Sequence, residues 1–244
     1  TWDTVNLMMG PGESICFPNS DTGYVVGFGG QIRSTRDRGI TWNTQNSNTT
    51  NTLRAVHFPS SKVGYISSWP GYGGDNVLVK TIDAGNTWFT IPCQYSASFS
   101  LFFTDDDTGY TFGGYGIMKT TDGGITWINH PVPTQNMLLK IFFSTPNDGF
   151  AVGFNGTFLK TINAGESWEL QPPMAYTTLD DIYFPIPTEG YIVGHNNTIL
   201  KFSCINIQDP AGVIEGDTIV CSGQQAVQYT IPIIGGADYY VWTL

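Results

Sequence analysis

The residues of this chain best suited to chemistry are acidic, and most of them recur. Asp37, Asp83, Asp122 and the amide Asn163 occupy the same place in four copies of a short box, Thr-x-Asp-x-Gly-x-Thr-Trp, spanning Thr35 to Trp42, Thr81 to Trp88, Thr120 to Trp127 and Thr161 to Trp168. Hydrolysis of a glycosidic bond needs two carboxyls facing each other across roughly 5 to 9.5 Å. One acid per box, repeated at a fixed interval, does not meet that need. Such a residue is better suited to accept hydrogen bonds from backbone N–H groups of its own turn, while the box glycine takes the positive φ that the turn requires. Asp180-Asp181 is an adjacent acidic pair on a β-prone run, but neighbours on a strand point to opposite faces. Asp105-Asp106-Asp107 precedes Thr108-Gly109 and reads as a solvated turn, with weak Ca2+ binding as the sharper alternative. His57, His130 and His195 show no metal-ligand spacing. No metal and no cofactor is expected.

The composition narrows the partners. The 244 residues carry Lys+Arg 10 against Asp+Glu 20, a net charge of −10, which opposes nucleic acid and anionic membrane surfaces. No apolar run approaches the roughly 18 residues of a membrane span, so no membrane insertion is expected. With 41% hydrophobic residues, 29 Gly and 14 Pro, the chain has a core to bury and many turns to make. Cys16, Cys93, Cys204 and Cys221 have no CxxC spacing, and three disulfide pairings are open.

The elements that must position these residues are strands. Gly23-Tyr24, Gly64-Tyr65, Gly109-Tyr110, Gly149-Phe150 and Gly190-Tyr191 recur at intervals of 41, 45, 40 and 41 residues. Ahead of each lies a short apolar run: Ser14 to Phe17, Leu53 to Phe58, Phe99 to Phe103, Leu139 to Phe143 and Leu179 to Phe184. Each of the first four pairs is followed by a box whose Trp42, Trp88, Trp127 or Trp168 is expected to pack between sheets. Four short strands per repeat of about 40 residues, with no helical periodicity, predict an all-β fold, a β-propeller of five blades over residues 1–204. Trp2 precedes the first inner strand by the interval that the box Trp residues keep, and the fifth repeat has no box. The N-terminal strand is therefore expected to close the last blade and the ring; the competing reading is part of a longer propeller.

One repeat departs in length. The second carries about five extra residues in Ser68 to Asp75, and a loop holding Trp69, Tyr72 and Asp75 between glycines suits stacking on a sugar or anchoring a protein. An idle insertion is the plain alternative.

Asp21-Thr22-Gly23-Tyr24-Val25-Val26-Gly27 and Lys119-Thr120-Thr121-Asp122-Gly123-Gly124-Ile125-Thr126-Trp127 resemble the repeat of photosystem II assembly and stability factors. That repeat is akin to the Asp-box or bacterial neuraminidase repeat, also found in sortilin-like receptors and some glycoside hydrolases. Thr218 to Gly223, Val227 to Pro232 and Ala237 to Trp242 resemble the opening of an immunoglobulin-like, PKD-type β-sandwich, expected over residues 205–244. Such modules accompany cargo of the type IX secretion system in Bacteroidetes. The chain is expected to stop inside that domain, and Cys204 with Cys221 is the preferred disulfide because the pair flanks the junction.

What the resemblance implies about activity is divided. A sialidase-like site would need three arginines from separate blades, yet three of the four, Arg33, Arg36 and Arg38, lie within one hairpin and only Arg54 lies outside it. The expected function is a non-catalytic, secreted or cell-surface propeller serving as an adhesin or interaction platform, with a protein or glycan ligand or the secretion and outer-membrane machinery as partner. A glycoside hydrolase or sialidase-like enzyme is the alternative, and an assembly factor for a membrane complex is a further one.

Overall fold

In a computed structural model, residues 10–69, 71, 75–93, 100–113, 116–206, 215–216, 219–221 and 229–230 are described, those from 204 onward as backbone alone. The expected N-terminal closing strand with Trp2, and Tyr72 of the long loop, lie outside the described residues.

Each of the first four repeats folds as one antiparallel four-stranded meander, and the fifth supplies three antiparallel strands. Blade 1 holds β1 (Gly12–Cys16), β2 (Gly23–Gly27), β3 (Gln31–Thr35) and β4 (Asn43–Asn46), and blade 2 holds β5 (Thr52–His57), β6 (Gly64–Trp69), β7 (Val77–Thr81) and β8 (Phe89–Pro92). Blade 3 follows with β9 (Leu101–Phe103), β10 (Gly109–Gly113), β11 (Gly116–Thr120) and β12 (Ile128–Pro131). Blade 4 is β13 (Leu138–Phe143), β14 (Gly149–Gly153), β15 (Phe158–Thr161) and β16 (Glu169–Leu170). Blade 5 has β17 (Leu179–Ile186), β18 (Glu189–Gly194) and β19 (Thr198–Asn206). The protein is thus an all-β, five-bladed propeller, with single 3-10 turns at Phe28–Gly30 and Phe154–Gly156 as its only helical pieces among the described residues.

The expected boundary at residue 204 falls inside a continuous strand. β19 pairs with β18 as far as Ser203 opposite Glu189, then runs on and pairs through Cys204 to Asn206 with β21 (Ile219–Cys221). A short ladder between β20 (Glu215–Gly216) and β22 (Tyr229–Thr230) completes the described strands. Cys204 lies opposite Cys221 in this register, and facing residues of an antiparallel pair have Cα separations that a disulfide accepts. The bridge itself lies outside the described side chains, whereas Cys16 is a thiol whose burial holds its pKa above the usual value.

The core is a row of aromatic stacks between blades. At the end of each inner strand a phenylalanine lies flat on the bare Cα of the Gly-aromatic glycine: Phe58 on Gly64, Phe103 on Gly109, Phe143 on Gly149 and Phe184 on Gly190, each so close that a Cβ on the glycine would fall 2.4 to 2.6 Å from the ring. The aromatic of the preceding blade stacks on that phenylalanine, Tyr24 on Phe58 at 4.4 Å, Tyr65 on Phe103 at 3.6 Å, Tyr110 on Phe143 at 4.1 Å and Phe150 on Phe184 at 4.6 Å between centroids. The box Trp of the same blade closes the set edge-on, as Trp88 does against Phe58 and Trp168 against Phe143. Offset and edge contacts of this kind add to the gain from burying the rings.

Each tyrosine then crosses to the next blade's turn. Tyr24 donates its hydroxyl to the Ala84 carbonyl at 2.7 Å and Tyr110 to the Ala164 carbonyl at 2.8 Å, while Tyr65 donates to Asp106. A buried phenol needs such an acceptor. Arg36 on the Ala84 carbonyl and Asn86, and Lys119 paired with Glu166, add polar ties across two of the same seams.

Candidate functional site

The four boxes are closed hydrogen-bonded turns. In the first, Asp37 Oδ1 accepts from the Thr35 hydroxyl at 2.7 Å and the Thr41 N–H at 2.8 Å, Oδ2 accepts from the Thr41 hydroxyl at 2.6 Å, and the Gly39 N–H donates to Thr35 Oγ1 at 2.9 Å. Asp83 and Asp122 repeat the pattern with Thr87 and Thr126. Asn163 keeps it without a charge: its Oδ1 accepts from Thr161 and the Ser167 N–H, and its Nδ2 donates to Ser167 Oγ. Both oxygens of each acid are therefore used within eight residues of chain. Trp42 and Trp127 donate their indole N–H groups to Gly39 and Gly124 of their own boxes. Trp88 and Trp168 are buried.

These bonds favour the ionised form. The Thr41 hydroxyl and N–H hold Asp37 down to about 2, and the Thr87 bonds lower Asp83; Asp122 is lowered by Thr126 against an opposing cost of burial. His57 lies on the inner strand of blade 2, its ring against Phe102 at 4.4 Å and its Nε2 2.9 Å from the Phe103 carbonyl, and burial pushes its pKa down to about 4. A histidine held neutral in the fold but free to protonate when unfolded costs stability as pH falls below its ordinary 6.5. A carboxyl with a depressed folded pKa contributes stability above its unfolded value, near 3.8 for Asp, and loses it as pH falls through the folded one. Acid unfolding is therefore expected in two stages, from 6.5 to about 4 through His57 and below that through the box acids, Asp37 down to about 2. Urea midpoints of His57→Gln and Asp37→Asn against pH check this: His57→Gln should lack the first stage and keep the second, whereas Asp37→Asn should keep the first and show a smaller second, since Asp83 and Asp122 still contribute to it.

The adjacent acids on β17 are drawn apart. Asp180 faces His195 Nε2 at 3.4 Å, whereas Asp181 Oδ1 lies 3.2 Å from Lys140 Nζ of blade 4 and accepts the Ile182 N–H at 2.8 Å. Asp105 serves its own turn, accepting the N–H groups of Asp107 and Thr108. Among the described residues no three of His, Cys, Asp and Glu gather as a metal site. His130 is placed elsewhere, its Nδ1 3.1 Å from the Glu166 carbonyl.

What the structure does bring together lies at the base of the long loop. Trp69 ends β6 exposed, and the Arg54 guanidinium of the neighbouring β5 lies over its ring at 5.1 Å. Arg54 in turn reaches Glu13 on β1 of blade 1 at 2.9 Å, both side chains about four-fifths buried. Asn51 ties down both sides of the loop, donating to Ser68 Oγ at 3.2 Å and to the Asp75 carbonyl at 3.0 Å. Sequence reasoning placed Trp69 and Asp75 in this loop but missed Arg54, Glu13 and Asn51. The register of β5 against β6, which sets Thr52 opposite Trp69, is the signal that places them, and it follows from the hairpin rather than from any motif. The result is an aromatic face backed by a cation, held by the strands instead of by the loop, suited to stacking and to short polar contacts.

No family model matches the chain, and no curated protein matches it. Solved structures do. The GH74 xyloglucanase of Xanthomonas campestris superposes with a TM-score of 0.65 at 12% identity, over 83% of this chain and 40% of its own. The WD40 β-propeller domain of Doa1 gives 0.61 at 10% identity, over 79% of this chain and 64% of its own. YCF48 bound to a D1 peptide gives 0.44 at 16% identity, over 78% of this chain and 90% of its own. The chain spans less than two thirds of the xyloglucanase and of the Doa1 domain, and at these identities the likeness shows the β-propeller fold alone.

Proposed function

We propose that this protein is a non-catalytic binding propeller, exported and displayed at the cell surface, that takes a protein ligand across the base of the blade 2 loop. The observation that carries the reading is the Trp69 ring, exposed and backed by the Arg54 guanidinium at 5.1 Å, because binding hot spots are enriched in Trp and Arg. The carboxyls support it from the other side: those of the boxes are used up in turns, and Asp180 and Asp181 are held by separate partners. Export rests on the likeness of residues 205–244 to PKD-type modules and of the repeats to those of receptor propellers. The adhesin role and the type IX route belong to the same reading.

Binding of the purified protein to a peptide array and a glycan array, followed by affinity measurement on the strongest hits, tests it. Trp69→Ala is expected to weaken binding at least tenfold with an unchanged melting temperature, and Arg54→Lys to weaken it less. A bound ligand that ignores Trp69 would sink the site. Cleavage of a bound glycan, lost on Asp181→Asn, would replace the reading by the hydrolase.

A further inference from the structure

Four blade-to-blade seams in this molecule are sealed alike, and they show what each face of a blade requires. The face turned to the following blade carries the Gly-aromatic ring and two apolar residues paired across its second and third strands; in blade 1 these are Tyr24, Val26 and Ile32, all 0% exposed. The corresponding residues of blade 5 are Tyr191, Val193 and Ile199, where Val193 pairs with Ile199 as Val26 does with Ile32. They are 37, 43 and 72% exposed. The face turned to the preceding blade carries the inner-strand phenylalanine and the residue two before it. In blade 2 these are Phe58 and Val56, 8 and 7% exposed; in blade 1 they are Phe17 and Ile15, 45 and 61% exposed.

Both uncovered faces are complete in every other respect. Phe17 lies on Gly23 and meets Trp42 edge-on at 6.1 Å, as its counterparts meet their own glycine and Trp. Arg38, with φ at 63°, holds the left-handed turn position whose carbonyl, in Ala84 and Ala164, accepts a tyrosine hydroxyl. Among the described residues, the three atoms nearest a Cβ on Gly39 all belong to its own Trp42, where the equivalent Gly85 and Gly165 lie against Tyr24 and Tyr110. On blade 5, the Tyr191 hydroxyl is turned to Glu189, and Lys201 is held by the same carboxylate at 3.1 Å. The aligned Lys119 and Lys80 instead reach across to Glu166 and to the Gly123 carbonyl of the next blade. Among the described residues, no strand ladder or aromatic pair joins blade 5 to blade 1.

We infer that blade 5 of one molecule docks on blade 1 of a second copy, with Tyr191 stacking on Phe17 of the second copy and donating its hydroxyl to the Arg38 carbonyl there. The chain carries both halves of an aromatic stack that it makes four times internally, twice with the tyrosine bonded to the box carbonyl, and among the described residues the two halves do not meet. The contact is heterologous, so it propagates head to tail, and it is separate from the Trp69 surface.

The two faces can be disabled one at a time on exposed side chains, with Ile15→Lys for the blade 1 face and Ile199→Lys for the blade 5 face. Sedimentation velocity of the wild-type protein from about 1 to 100 µM is expected to show mass rising with concentration to and beyond a dimer, as a surface of moderate affinity requires. Each variant alone is expected to stay a monomer with wild-type circular dichroism. An equimolar mixture of the two should reach twice the monomer mass and stop there, because one intact face remains on each partner. A wild-type protein monomeric at 100 µM overturns the inference. If that monomer also melts lower on either substitution, the two faces meet within one chain instead. Association that persists in the single variants, or a mixture that stays monomeric, overturns it as well.

Discussion

Replacing Phe103 with alanine is expected to lower the free energy of unfolding by about 3 to 5 kcal/mol, the range for removing a fully buried aromatic ring from a packed core. Phe103 is 1% exposed. Its ring stacks on Tyr65 of the preceding blade with an interplanar angle of 1°, meets Trp127 edge-on at 6.3 Å and covers Gly109. Truncation opens a cavity shared by two blades, and Tyr65 cannot collapse into it without giving up its bond to Asp106. Against a total stability of roughly 5 to 15 kcal/mol, that loss brings the fold close to its limit. Phe17→Ala is the internal comparison. The same residue in the same place, with no stacked tyrosine among the described residues, should cost about 1 kcal/mol in protein dilute enough to be monomeric. Urea unfolding of the two variants decides the matter, provided the slope with denaturant is unchanged. Equal losses at Phe17 and Phe103 would mean that blade 1 is covered in solution as blade 3 is.

Gly156→Ala is expected to cost on the order of 3 kcal/mol. Gly156 sits at φ 71°, in the left-handed region, and a Cβ there would stand 1.8 Å from the Ala175 carbonyl oxygen. Two penalties add: roughly 1 kcal/mol for an alanine in that conformation, and the displacement of a backbone segment that cannot swing away as a side chain can. Gly30 repeats the arrangement in blade 1, at φ 73° and 1.9 Å from the Thr49 carbonyl. Gly29 separates the two penalties, since it is left-handed at φ 64° and no atom of the described residues lies within 4 Å of its Cβ position. Gly29→Ala should therefore cost only about 1 kcal/mol, and thermal unfolding of the two variants reads the difference. A Gly156→Ala loss no larger than that of Gly29→Ala would show that the strand after Ala175 gives way freely.

The amino-acid sequence by itself determined the repeat, the all-β class, the five inner strands to within two or three residues and the closed turn at each box. These features are local: a box completes its bonds between Thr35 and Trp42 without help from the rest of the chain, so residue type and spacing suffice to read it. The blade 2 loop was legible as an extra length carrying Trp69, but Arg54 behind its ring was not, because that contact depends on the register of β5 against β6. Further from reach were the seams. Tyr24 meets Ala84 and Tyr110 meets Ala164 over separations of 60 and 54 residues, and nothing near a Gly-Tyr pair says which blade its ring will enter. The angle at which blades pack decides whether the last face meets the first, and that angle sums small contributions from every seam. Spacing counts blades, but only the packed structure reveals that Tyr191, alike in sequence to Tyr24, has no ring against it among the described residues.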